Sequence, residues 1–463
     1  MKLSRLRILF FLHYHKMNLA DYLKTGISKW PNWLNLLLLH CNIFGKYAYG
    51  TGYVKVIKHI DEADWEKQLL EMVNYAIEHV QYYRKRYGGL RVNTLAEFKE
   101  KIRFIDKKEV MEHWEEFVVD NIDWSKCVTG TTGGTSGKPM KLVIPKNRYI
   151  HSLAFWHKEL KWYGWNYDTR VVIRNHKLEK GRDYMVNPIL KEFIFDAFRM
   201  DADYAKRVWQ IMRKHHIRYI HAYPSAVYQF LKYCTNQNLD TSFIKLCILT
   251  SEGVTDEQRH FIEKELYIPI YASYGHSEKL IMAGSCPGSE YYHIEPCYGY
   301  CELLDDNGKI ISEKNKQGEL VGTTFINKYF PLIRYRTGDI SSYVDHHCPI
   351  HKEEYRLLSG IWGHWDKSVI YRKDGGYTSL TALNLHSEIY EHIDGLQYIQ
   401  EKKGELIVLI IPNTKYTDTD TRFLKSHFES ALGEDARVEL KYVNKLIIQS
   451  NGKFLPLISK ITT

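Results

Sequence analysis

The chain has 463 residues, more than one hydrophobic core usually organises, so a large domain plus at least one smaller unit is expected. A hydrophobic fraction of 44% and a charged fraction of 26% exclude a disordered, collagenous or membrane-spanning class. The formal net charge of +9 is thinly spread, with Lys and Arg interleaved among Asp and Glu, so nucleic acid is not implied. A solvated surface accounts for the excess, as does an anionic small substrate or a membrane surface.

Eight cysteines at irregular spacing do not read as a disulfide framework, and no cleavable signal peptide is recognisable. The expected compartment is therefore the cytoplasm. Apolar patches at 8–12 and 33–40 are too short to cross a bilayer, which leaves at most peripheral membrane contact. Residues 61–87 read as an amphipathic helix with Trp65, Leu69, Met72, Ala76 and Val80 on one face, and a second helix is expected over 94–101. The stretch 123–139, rich in Gly, Thr and Ser, reads as a loop beside a strand over 140–144. Strands at 170–173 and 245–249 alternate with helices at 204–215 and 225–237, the pattern of α/β layering. Over 291–344 short strands broken by turns at Asp306-Asn307-Gly308 and Lys316-Gln317-Gly318 suggest hairpins of a β-rich subdomain. Strands at 406–411 and 438–442 around a helix at 418–432 suffice for a small α+β domain.

Three segments carry chemistry. In Thr132-Gly133-Gly134-Thr135-Ser136-Gly137-Lys138-Pro139 the glycines allow close backbone approach, while hydroxyls and amides can bond phosphate oxygens. A Walker loop would need Gly where Thr132 stands and Ser or Thr where Pro139 stands, so a P-loop NTPase is disfavoured. The plain alternative is a ligand-free surface loop. Ser273-Tyr274-Gly275-His276-Ser277-Glu278 places an aromatic ring to stack on a base near a carboxylate, Glu278, that can hold Mg2+. Arg334-Tyr335-Arg336-Thr337-Gly338-Asp339 reads as a turn presenting Asp339 to ribose hydroxyls, or else as a capped surface turn.

In this order the three segments resemble the core motifs of the adenylate-forming superfamily that contains acyl-CoA synthetases, and within it the phenylacetate-CoA ligase-like branch. The run ending Thr381-Ala382-Leu383-Asn384-Leu385-His386 and the near-terminal Asn451-Gly452-Lys453-Phe454 are similar to CapK-type proteins associated with polysaccharide biosynthesis. The resemblance covers roughly residues 60–463 and implies an α/β fold, with 1–60 expected to be a helical extension before it. A large ATP- and acid-binding domain follows over 61–358, then a small mobile α+β domain over 359–463. It further implies that Thr132, Gly133, Gly134, Thr135, Ser136, Gly137 and Lys138 hold the phosphates of ATP. Tyr274, with Gly275, His276 and Ser277 around it, would meet adenine, and Glu278 would bind Mg2+. Asp339 would bind ribose with Arg336 steadying its turn, and Lys453 would place its ammonium between the carboxylate and the α-phosphate, where negative charge builds up.

Two departures stand out. Where the family has a Gly-Arg pair at its hinge, the sequence reads Ser359-Gly360-Ile361-Trp362-Gly363-His364-Trp365-Asp366, without arginine. Near the expected acid and adenine sites Thr250-Ser251-Glu252-Gly253 replaces the usual Gly-Glu order. Tyr223, Ser225, Ser251, Glu252 and Gly253 are the candidate substrate residues, although Tyr-Pro-Ser is equally a helix start. Cys286, His293, Cys348 and His351 give a thiolate and imidazole set suited to structural Zn2+, matching a feature of some phenylacetate-CoA ligase-like proteins, with buried thiols and surface histidines as the alternative.

The expected function is ATP-dependent activation of a carboxylic acid as an acyl-adenylate with release of pyrophosphate. Acyl transfer to coenzyme A, or to an amine or hydroxyl of a saccharide precursor in surface polysaccharide synthesis, would follow. The alternative is a non-catalytic nucleotide- or acid-binding subunit of a polysaccharide assembly, motivated by the missing hinge arginine.

Overall fold

The computed structural model describes residues 30–40, 49–60, 64–132, 140–146, 148–174, 176–344, 356–361, 369–380, 392–433, 435–447 and 455–461, together with 383, 385 and 389. Gly133, Gly134, Thr135, Ser136, Gly137, Lys138, Cys348, His351, His364 and Lys453 lie outside the described residues.

The strands, in chain order, are β1 (Cys127–Thr131), β2 (Lys141–Pro145), β3 (Arg170–Arg174), β4 (Tyr184–Asn187), β5 (Glu192–Asp196), β6 (Tyr219–Ala222) and β7 (Leu246–Thr250). They continue as β8 (Ile270–Gly275), β9 (Met282–Ser285), β10 (Tyr292–Ile294), β11 (Gly299–Leu304), β12 (Ile310–Ile311), β13 (Gln317–Thr324), β14 (Tyr335–Ser342) and β15 (Leu357–Leu358). The last six are β16 (Val369–Tyr371), β17 (Tyr377–Ser379), β18 (Ile393–Gln400), β19 (Glu405–Pro412), β20 (Arg437–Tyr442) and β21 (Leu457–Ser459).

The main sheet has nine strands in the order β15-β10-β9-β8-β7-β6-β3-β5-β4. Its centre, β5-β3-β6-β7-β8, is parallel, and β4, β9, β10 and β15 are antiparallel additions at the two sides. Parallel strands need crossovers and coverage on both faces, which is why β3, β6 and β7 are almost wholly apolar and buried. The crossover from β6 to β7 is the helix Pro224–Asn236, started by Pro in its first turn.

The periodicity over 61–87 resolves into two helices, Trp65–His79 and Gln81–Tyr87. Between them Val80 adopts an extended backbone and bridges to Val119, so a β-branched residue with a tertiary partner interrupts the expected continuous helix. The helix Gly50–His59 buries Tyr53, whose hydroxyl bonds His157 Nδ1 at 2.9 Å and the Tyr167 hydroxyl at 2.7 Å. That helix therefore packs into the layer built around the helix Arg148–Trp162. Asn32 and Asn35, on the helix Asn32–His40, donate side-chain amides to the carbonyls of Tyr184 and Val186 on the edge strand β4.

A second sheet, antiparallel in the order β12-β11-β13-β14, carries the hairpins expected over 291–344. Gln317 and Gly318 open β13 and are not part of the expected turn. Gly318 is small for a packing reason, since a Cβ there would meet the Leu304 carbonyl at 2.5 Å. A third sheet, β20-β19-β18-β21, packs against the helix Asp418–Leu432 around its own apolar cluster, including Val408, Ile410, Leu424 and Phe428. The hairpin β16–β17 joins this unit to the main one. There Arg372 is 4% exposed and donates to the carbonyls of Phe198 at 3.3 Å and Met200 at 3.4 Å.

Candidate active site

In a parallel sheet the carboxyl ends of the strands face the same way, and ligands bind there because the loops that leave them are free to diverge. The register aligns Ile173 with Ala222, Ala222 with Leu249, Leu249 with Ala272 and Thr250 with Ser273. Arg174, Tyr223, Thr250 and Ser273 consequently leave the sheet at one level, with Ser251 and Tyr274 just beyond.

At the β8 end, Tyr274 donates its hydroxyl to Asp339 Oδ2 at 2.7 Å. Asp339 lies on β14, so the segment 334–339 is mostly strand rather than the expected turn. The strand is bulged against β13, and Gly338 has a φ of 79°, a conformation glycine adopts without strain. Arg336 binds Glu319 through Nη2 at 2.6 Å, while the Gly338 amide donates to the other oxygen of Glu319 at 3.0 Å. Arg336 thus steadies the bulge that carries Asp339. Burial, then the Asp339 carboxylate, pushes the Tyr274 hydroxyl well above its ordinary pKa and keeps it a donor.

Immediately after β8, His276 Nδ1 lies 3.2 Å from Glu278 Oε2, both side chains being 13% exposed. Burial alone would raise the Glu278 pKa, but hydrogen bonding and charge from His276, a backbone amide and the more distant Lys107 ammonium turn the net shift downward. Glu278 therefore stays an anion. His276 Nε2 is buried with no acceptor or donor against it among the described residues. The anionic Glu278 carboxylate is the kind of oxygen ligand that a hard divalent cation takes together with phosphate oxygens. Lys107 opens the helix Lys107–Glu112, and burial, opposed by Glu278, pushes its pKa down to about 8. No sequence motif pointed to this lysine, because only the fold brings it to Glu278.

Thr132 is the one residue of the Gly-rich loop within the described set. It is 5% exposed and its hydroxyl accepts the Met140 amide at 3.0 Å, while its own amide donates to the Met140 carbonyl at 2.9 Å. The Thr132 hydroxyl therefore closes the base of the β1–β2 hairpin, and the phosphate-binding expectation passes to 133–138. Ile361, one of the two positions where the hinge arginine is expected, is 9% exposed, and the other, His364, lies outside the described residues.

On the side of the candidate substrate residues, Glu252 accepts the Ser225 amide at 3.1 Å, so these two engage each other at the start of the helix Pro224–Asn236. Ser251 has a φ of 72°, a strained backbone for a residue with a Cβ. It accepts from Arg174 Nη2 at 3.1 Å, and the guanidinium lies 5.3 Å from the Tyr223 ring centre. Arg174 was not singled out by any motif; it closes a strand, RVVIR, that carries an arginine at each end.

Cys286 follows β9 and His293 lies on β10, next to it across the β9–β10 pairing. Both are buried, and among the described residues no group of three or more metal-ligating side chains assembles. The other two candidate ligands fall in 345–355, outside the described residues.

Residues 370–460 match the CapK C-terminal domain. Among solved structures, the chain is similar to 2-hydroxyisobutyryl-CoA ligase in complex with 2-HIB-AMP and CoA in the thioesterification state. The TM-score is 0.55 at 16% identity, covering 88% of this chain and 90% of that one. With the same ligase in the postadenylation state, in complex with R3-HIB-AMP, the TM-score is 0.51 at 15% identity, covering 85% and 88%. At such identities the likeness is one of fold. No curated protein matches the chain in sequence.

Proposed function

We propose that this chain, which has the fold of the adenylate-forming ligases and ends in a CapK C-terminal domain, activates a carboxylic acid with ATP as an acyl-adenylate and releases pyrophosphate. The observation that carries this reading is the Tyr274–Asp339 pair beside the anionic Glu278, at the carboxyl ends of a parallel sheet. It supplies an aromatic face for adenine, a carboxylate that can accept from ribose hydroxyls, and an anionic ligand.

Each group has a role in that chemistry. Asp339, held by Tyr274, orients the nucleoside. Residues 133–138 cradle the phosphates. Glu278 would hold Mg2+, which when bound offsets phosphate charge that would repel an incoming carboxylate. Lys453 completes the neutralisation around the α-phosphate. The acyl group then passes to coenzyme A or to an amine or hydroxyl of a saccharide precursor, the latter context being suggested by the CapK C-terminal domain.

The test is ATP–pyrophosphate exchange over a panel of aromatic, hydroxy, amino and dicarboxylic acids with the native chain and Lys453→Ala. Exchange that disappears in the variant is the expected result. Nucleotide binding without exchange for any acid would instead favour a non-catalytic binding subunit, the reading that the missing hinge arginine keeps in play.

A further inference from the structure

Of three arginines in the large unit, Arg170 and Arg334 are buried and meet carboxylates, while Arg174 is half-buried. Arg170 reaches Glu192 at 2.7 Å, and Arg334 reaches Glu302 at 2.9 Å. Arg174 does not. Its partners are His221 Nε2 at 3.3 Å, Ser251 Oγ at 3.1 Å and the face of Tyr223, and none of the described carboxylates pairs with it. Its Nε is buried without an acceptor among the described residues.

The neighbouring imidazole cannot neutralise this charge. His221 is 7% exposed, and burial, then the charges of Arg174 and Arg170, push its pKa well below the ordinary range. It is therefore neutral. Because a guanidinium only donates, Nε2 must accept, which puts the imidazole proton on Nδ1, an atom also buried without a partner among the described residues. A half-buried guanidinium at a strand end, with its Nε lacking an acceptor among the described residues and an exposed serine on strained backbone beside it, is a cation that an anion can satisfy.

The position says which anion. Neighbouring strands lie about 4.8 Å apart, and the Arg174 guanidinium reaches Ser251 at the end of β7, the strand next to β8. The cation thus lies roughly one to two strand spacings, about 5–10 Å, from the nucleotide-side residue Tyr274. An acid whose reacting carboxylate faces the nucleotide would place its far end there. We infer that the substrate acid carries a second anionic group, held by Arg174 with Ser251 and His221 beside it, so that the substrate class is short dicarboxylic acids or their phosphonate equivalents. Assignment of this anion to the substrate rests on the acid-activation reading; the anion site itself does not.

The experiment is isothermal titration of the native full-length chain with glutarate, 3-phosphonopropionate, monomethyl glutarate and butyrate, repeated on Arg174→Gln and Arg174→Lys. A dianion should bind the native chain on the order of tenfold to a hundredfold more tightly than the monoester, which differs from glutarate by one charge. Arg174→Gln should erase that difference and Arg174→Lys should retain part of it. Equal affinity for glutarate and its monoester, no binding of either dianion, or an unchanged preference in Arg174→Gln would overturn the proposal. Should Arg174→Gln fail to fold, the native comparison decides alone. Pyrophosphate exchange run alongside separates the two readings. A dianion bound through Arg174 without exchange refutes acid activation and leaves the anion site standing. Exchange confined to monoacids does the reverse.

Discussion

Tyr274 and Asp339, 65 positions apart in sequence, meet through a 2.7 Å hydrogen bond that ties the end of the main sheet to the bulged strand of the second sheet. The phenol donates to one carboxylate oxygen, and burial keeps the phenol protonated across the working pH range. Asp339→Ala should raise the dissociation constant for ATP on the order of tenfold to a hundredfold, the loss of a charged hydrogen-bond acceptor. Tyr274→Phe should have a smaller effect of the same sign, since the ring is kept. Nucleotide titration checks both, and unchanged affinity in Asp339→Ala would remove it from the nucleotide site.

Lys107, whose pKa is pushed down to about 8, gives the site a titration of its own. A depressed lysine contributes stability in full above its unfolded value of 10.5 and loses that contribution as pH falls through about 8, while the charge useful to an anionic ligand is present only below about 8. ATP affinity should therefore weaken as pH rises through 8, and Lys107→Met should abolish that step. A native profile flat between pH 7 and 9 would show that Lys107 does not act on the nucleotide.

Arg334 and Glu302 form a buried bidentate pair, with both contacts at 2.9 Å, and Arg334 also donates to the carbonyls of Lys99 and Ile102. Because Arg334 immediately precedes β14, the pair anchors the strand that presents Asp339. Glu302→Gln or Arg334→Met should cost about 3–5 kcal/mol of unfolding free energy, the penalty of stranding one buried charge. The double variant should recover part of it, as denaturant titration would register.

Glu159 is fully buried against Tyr271 and close to Glu295, which pairs with Lys158 at 3.1 Å. Burial, then the Glu295 charge, raises its pKa well above 4.5. A raised carboxyl contributes its stability in full below the unfolded value and loses it as pH climbs through the folded one. Thermal stability should decline as pH rises above about 4.5, and Glu159→Gln should flatten that decline. A parallel decline in the variant would assign it to other groups.

His293 pairs directly with Leu357, and the Val344 amide donates to the Leu357 carbonyl at 3.2 Å. Cys348 and His351 lie between these two positions in sequence. Protein purified without a His tag should contain one equivalent of zinc, lost in Cys286→Ser; metal analysis showing no stoichiometric zinc would dismiss the site.

Periodicity located the elements that packing reinforces. The helix at 418–432 lies where its apolar spacing put it, and the strand ends at β3 and β7 moved by only a residue. The break at Val80 and the strand through 335–339 escaped that reading, since each depends on a partner distant in sequence: Val119 for one and β13 for the other.

By itself the sequence determined the element types, the α/β layering and the glycine, tyrosine and carboxylate segments, because side-chain spacing and backbone freedom are local properties. Tertiary structure alone decided which of those groups are neighbours. Tyr274 meets Asp339, Arg336 serves Glu319 rather than solvent, Thr132 closes a hairpin, and Lys107 and Arg174 enter the site from elements no motif marked. The physical reason is that a pKa, an orphaned donor or an unneutralised charge is set by distance and burial. Those quantities exist only once the strands have been brought side by side.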